Sequence, residues 1–120
     1  MTTLLLLSNN LMFLPRIQMA TGSGVSVIRV SDLDRLTKLI EESDIDFVVA
    51  DLEYDQDFWS KALQIFQENE DLNPKMIAYG PHEDTNSMEI ARSLGCDPVL
   101  AKGAFVNNLK TILAGESKNP

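Results

Sequence analysis

The alternation of five short apolar runs with five stretches of helical periodicity constrains this chain more than any other feature. The runs cover residues 4–8, 25–30, 46–50, 76–79 and 99–101. Short runs rich in Leu, Val and Ile suit strands covered on both faces, as in a parallel sheet. The first helix is expected over about residues 11–21, ending at Gly22-Ser23-Gly24. The second opens at Ser31-Asp32-Leu33-Asp34, a start like a capping box with an acid at its fourth position, and buries Leu33, Leu36, Leu39 and Ile40. Trp59, Ala62, Leu63 and Phe66 form the stripe of the third, which Asn73-Pro74 breaks. Met88, Ala91 and Leu94 form that of the fourth, with Gly95 as its C-terminal cap. The fifth carries Phe105, Leu109, Ile112 and Leu113, and the tail over 116–120 is expected to fray. The spacing of Trp59, Phe66 and Met88 already explains them as core.

A strand–helix unit repeated five times with short links implies a doubly wound parallel sheet, helices on both faces and right-handed crossovers. No linker, repeat or low-complexity stretch divides the 120 residues, so a single domain over residues 3–115 is expected. The expected strand order is 2-1-3-4-5. In that order ligands bind at the carboxyl ends of the strands, at the switch between strands 1 and 3. Those ends are Ser8-Asn9-Asn10 and Asp51, with Gly80 and Lys102 at the ends of strands 4 and 5.

Ten Lys and Arg against 18 Asp and Glu leave a formal net charge of -8. That balance argues against binding to nucleic acid or to an anionic membrane, both of which need clustered bases. The acids are concentrated: Glu41, Glu42, Asp44, Asp46, Asp51, Glu53, Asp55 and Asp57 follow one another with no intervening base. Such a run most simply makes a solvated face. The apolar run at the N-terminus has no basic residue before it and ends at Ser8, too short for a signal peptide or a membrane span. With the lone Cys96, this points to a cytoplasmic protein without disulfides.

Other motifs yield to simpler readings. Asp51-x-Glu53-x-Asp55-x-Asp57 has Gln56 and Ala62 where a calcium loop needs Gly and Glu. Gly22-Ser23-Gly24 precedes a strand instead of following the first one, and reads as a turn. His82 reads as a surface residue and Cys96 as a small, inert one. No nucleophile elbow and no Cys/His pair is present, and no enzyme activity is expected.

Two stretches carry a resemblance. Asp46-Phe47-Val48-Val49-Ala50-Asp51 resembles the third strand of a response-regulator receiver domain, ending in the phospho-accepting aspartate. Ala91-Arg92-Ser93-Leu94-Gly95-Cys96-Asp97, followed by Val99-Leu100-Ala101-Lys102, resembles that family's fourth helix, its Gly-Ala-Asp-type turn, and its fifth strand ending in lysine. The likeness to the chemotaxis-regulator, flavodoxin-like (βα)5 fold extends over residues 3–115. It implies Mg²⁺ held by an acidic pair after strand 1 and by Asp51, with a strand 4 hydroxyl and Lys102 on the phosphoryl group. The metal would offset the repulsion between a carboxylate nucleophile and an anionic donor.

The chain departs from that pattern. The acidic pair maps to Ser8 and Asn9, followed by Asn10; the hydroxyl maps to Gly80; the switch aromatic of strand 5 maps to Val99. Gly103 stands where a proline usually follows the lysine, and Leu52-Glu53-Tyr54-Asp55 replaces the usual loop after the aspartate. Mg²⁺ is therefore expected to bind weakly or not at all, its candidate crevice being Asn9, Asn10, Asp51 and Glu53. Lys102 is expected to form a standing ion pair with Asp51. The expected function is that of an atypical, stand-alone receiver, or pseudo-receiver, which works in two-component signalling by protein–protein contact. Its partner would be a histidine kinase, an output protein or a second copy. The resemblance places that contact on helix 4, strand 5 and helix 5, including Arg92, Val99, Lys102, Asn107 and Asn108. The alternatives are a receiver phosphorylated on Asp51 and a flavodoxin-like module that binds a small molecule in the same crevice.

Overall fold

The computed structural model describes residues 2–114. Strands β1 (Thr2–Leu7), β2 (Val25–Val30), β3 (Phe47–Asp51), β4 (Lys75–Gly80) and β5 (Val99–Ala101) alternate with helices α1 (Leu14–Thr21), α2 (Leu33–Glu42), α3 (Gln56–Glu68), α4 (Thr85–Ser93) and α5 (Lys102–Ala114). All strand pairs are parallel and the sheet order is β2-β1-β3-β4-β5, as the alternation implies. The expected tail, residues 116–120, lies outside the described residues.

Because strand side chains alternate between faces, the three central strands divide their residues between two cores. Leu5, Leu7, Val48, Ala50 and Ala78 pack with Leu36, Trp59, Leu63, Phe66 and Met88 under α2, α3 and α4. Leu4, Leu6, Phe47, Val49, Ile77 and Tyr79 pack with Phe13, Ile17, Phe105 and Leu109 under α1 and α5. Full burial of each large apolar side chain contributes about 1.5–3 kcal/mol. The three central runs are thus strands covered on both faces, while β2 and β5, at the sheet edges, are mostly half-buried.

Element ends differ from the sequence expectation where local hydrogen bonds compete. α1 starts at Leu14 and not near residue 11, because Asn10 Oδ1 accepts from the backbone N–H groups of Met12 and Phe13 at 2.9 and 3.1 Å. That holds residues 11–13 in a turn. The cap of α2 is Asp32, not Ser31: Asp32 accepts from Arg35 N–H at 2.9 Å, while the Ser31 carbonyl accepts from the Tyr54 hydroxyl. α3 ends at Glu68, ahead of Asn73-Pro74, where Asn69 turns extended. Gly95 ends α4 as expected, at φ +104°, and the Cys96 N–H then donates to the Ala91 carbonyl. The chain has a cis bond at Asp97-Pro98, ahead of β5.

Candidate functional site

Asp51 is the last residue of β3 and only 3% exposed. Its neighbour across the crossover is Ser8, fully buried just past β1, whose hydroxyl donates to Asp51 Oδ2 at 2.6 Å. The Ser8 oxygen in turn accepts from the Asn10 N–H at 3.0 Å, which fixes the rotor toward the carboxylate. Asp51 Oδ1 accepts from the Glu53 N–H at 2.9 Å. Both carboxylate oxygens therefore have donors from this chain. Charge-assisted bonds of this kind are the strong ones, and they hold the side chain in one orientation.

Lys102 does not pair with Asp51, contrary to the sequence expectation. Its Nζ lies 3.3 Å from Glu53 Oε1 and 4.8 Å from the centroid of the Phe13 ring. Two causes act together: Ser8 already satisfies Asp51 inside the sheet end, and Lys102 is the first residue of α5, on the rim and not on the strand. The Lys102 and Glu53 side chains are 37% and 47% exposed, so solvent screens their attraction and the pair contributes little stability.

Tyr79 is the site residue that sequence reading missed. In the β3–β4 register it stands opposite Asp51, on the same face. The side chain is fully buried, stacked on Phe105 at 4.7 Å and tilted against Phe13 at 5.0 Å. Its hydroxyl has no hydrogen-bond partner within bonding distance and geometry. Burial, and then the neighbouring Asp51 charge, push its ionisation far above the ordinary tyrosine range, so the group is a neutral phenol. The signal lay in the period-two alternation: if Phe47, Val49 and Asp51 share a face, so do Ile77 and Tyr79.

Gly80, the next residue, is a packing glycine. A Cβ there would come within 2.9 Å of the Leu52 Cβ, so a side chain of any kind forces β4 and the β3–α3 loop apart. Val99 is half-buried and packs on the α4 side of the sheet. His82 is exposed beside Glu83. Cys96 is buried, and burial pushes its thiol up to about 12.

Between these strand ends lies a crevice of about 250 Å³ lined by Asn9, Asn10, Asp51, Glu53 and Tyr54. It falls below the roughly 300–1,000 Å³ of small-molecule sites. Its oxygen donors match a hard dication poorly. Asn10 Oδ1 is committed to the α1 turn, Glu53 leans to Lys102, and Asn9 Oδ1 faces Arg29 Nη1 at 3.4 Å. Only two carboxylates line the crevice, and no group of three or more His, Cys, Asp or Glu able to hold a metal occurs among the described residues. Mg²⁺ favours carboxylates with waters in octahedral array, and a guanidinium beside the site works against it.

Compared by sequence, the chain matches no protein-family model and no curated protein. Compared by structure, it resembles a response regulator from Thermotoga maritima at TM-score 0.78 and 13% identity, covering 95% of each chain. A signal receiver domain of two-component signal transduction from Clostridium thermocellum superposes at TM-score 0.79 and 14% identity, covering 98% of each. The receiver domain of a Saccharomyces cerevisiae response regulator, solved with a histidine phosphotransfer signalling protein, gives 0.75 at 12% identity, covering 94% of this chain and 86% of that one. With the strand order and the crossovers, these likenesses establish that the chain has the fold of response-regulator receiver domains.

Proposed function

We propose that the chain is an atypical receiver module that acts in two-component signalling by binding another protein, without efficient phosphoryl transfer through Asp51 and without Mg²⁺. It would not be an enzyme. The observation that carries this reading is the Ser8–Asp51 hydrogen bond. Where the resemblance implies a metal-binding carboxylate, a neutral hydroxyl donates to the carboxylate that should attack. A carboxylate so engaged is a weaker nucleophile, and without a dication nothing offsets its repulsion of an anionic donor. The lysine that would pair with the phosphoryl group leans instead on Glu53. The buried Gly80 has no room for the hydroxyl that would draw the strand 4 loop inward. A partner of the histidine kinase or phosphotransfer class agrees with the yeast neighbour, which was solved in such a complex.

The test is the intact mass of the protein after incubation with Mg²⁺ and a small phosphodonor. The expected spectrum holds the unmodified mass. A stoichiometric phosphoryl adduct that disappears in Asp51→Ala would overturn the reading and favour a competent receiver.

A further inference from the structure

The charges of this chain are divided by layer. No Asp or Glu occurs before Asp32, and none lies between Asp97 and Glu116. Helices α1 and α5, which cover one face of the sheet, are therefore free of acids and carry Arg16, Lys102 and Lys110. α2, α3 and α4, on the other face, carry Asp34, Glu41, Glu42, Asp57, Glu68 and Glu89 against Arg35, Lys38, Lys61 and Arg92. In a protein of net charge -8, the α1–α5 layer thus carries cations without acids, Arg16 and Lys110 in addition to the Lys102 that leans on Glu53.

The same side holds the exposed apolar surface. Among the described residues the exposed large hydrophobic side chains are Leu11, Met12 and Met19, at 62%, 84% and 83% exposure, all on α1 or the turn leading into it. Arg16 and Met19 share one face of α1, three residues apart, and Met12 lies in the turn that leads into it, with the exposed Pro15 between them. At the C-terminal end of α1 the surface dips into a groove of about 230 Å³, lined by Ala20, Thr21, Val25, Lys110 and Leu113. The stripe and groove run the length of the helix, roughly 12 Å at 1.5 Å per residue. Flexible methionines on an exposed face suit adaptable recognition of apolar side chains.

We propose that this α1–α5 face docks an acidic amphipathic helix of a partner protein. Its apolar side would lie on Met12, Pro15 and Met19 and enter the groove, with its carboxylates meeting Arg16 and Lys110. Charge complementarity selects this occupant over a second copy. A copy could offer its acidic α2–α4 face, which has no exposed large hydrophobic among the described residues, or its own α1 stripe, which has no acid. Neither surface supplies both halves of the match. The inference rests on reading the chain as a recognition module. It replaces the α4–β5–α5 face that the family resemblance suggested.

The test uses the full chain, labelled for backbone amide NMR, and a synthetic helical peptide with Leu at i, i+3, i+4 and i+7 and Glu at its outer positions. A counterpart peptide carries Lys in place of Glu. The Glu peptide is expected to bind saturably, shifting amides of residues 12–21 and 110–113, while the Lys peptide does not. Met12→Glu with Met19→Glu should weaken binding about tenfold or more. Both side chains are more than four-fifths exposed, so an unchanged amide spectrum elsewhere will certify the fold. Arg16→Glu with Lys110→Glu should weaken it too, and reverse the preference between the peptides. Failure of the Glu peptide to bind, equal binding of both peptides, or shifts confined to α2–α4 would overturn the proposal. So would a dimer in sedimentation that Met12→Glu and Met19→Glu abolish, since that assigns the face to a second copy. A phosphoryl adduct on Asp51 would defeat the proposed function and leave this result untouched, so the two failures are distinguishable.

Discussion

A carboxylate buried at a strand end needs donors, and Asp51 finds them within four residues of the switch between β1 and β3: the Ser8 hydroxyl and the Glu53 N–H. Ser8→Ala leaves Asp51 Oδ2 without its donor at a site that water hardly reaches. We expect a loss of about 1–3 kcal/mol in urea unfolding, the cost of an unsatisfied buried acceptor. Ser8→Asp has the opposite chemical meaning. It sets two carboxylates against each other, so the variant should be less stable than the parent in chelator and recover when Mg²⁺ is added, whereas the parent should not respond. Thermal unfolding with and without Mg²⁺ checks both statements. Asp51 was legible from sequence as the polar end of an apolar run, and topology brought Ser8 beside it. The partner of Lys102 was not legible, because choosing between Asp51 and Glu53 depends on where α5 begins, and one residue decides it.

Among the elements, the turn from α4 into β5 is closed by Gly95 at positive φ and by Cys96 beneath it. The Cys96 thiol ionises at an ordinary value of 9.0 when solvated and about 12 in the folded protein. Above pH 9.0 the unfolded chain loses this proton first, so the folded state holds more protons and stability falls as pH rises toward about 12. The slope reaches about 1.4 kcal/mol per pH unit while only the unfolded thiol is ionised. Tyr79, whose ionisation is also raised, adds to the loss above its ordinary 10.0. Urea unfolding across this range should show the decline, and Cys96→Ala should remove its first part. A parent stability that stays flat from neutral to strongly alkaline pH would contradict the assignment. Elements themselves were legible because strand runs and helical stripes differ in period. Their ends were not: the Asn10 turn delays α1 and the Asp32 cap displaces the start of α2 by one residue, both choices among equally plausible side-chain acceptors.

For the whole molecule, the double winding of the sheet sorts chain segments into two layers, and it sorts charge with them. The acidic run over residues 41–57 reads in sequence as a solvated face, and it lies along α2, β3 and the start of α3. What the linear order conceals is the complement, because α1 and α5 are far apart in sequence and come together only on one face of the folded sheet. The same folding leaves the strand ends poor in carboxylates in a chain rich in them. That local deficit is what should keep the site from accepting a phosphoryl group, and an anion that mimics the group tests it most directly. Backbone amide spectra of the full chain should be recorded with Mg²⁺ alone and with Mg²⁺ plus beryllofluoride. Superimposable spectra are expected, with Asn9, Asp51, Gly80 and Val99 unmoved. A saturable second set of peaks at those residues, dependent on both components and lost in Asp51→Asn, would contradict that expectation.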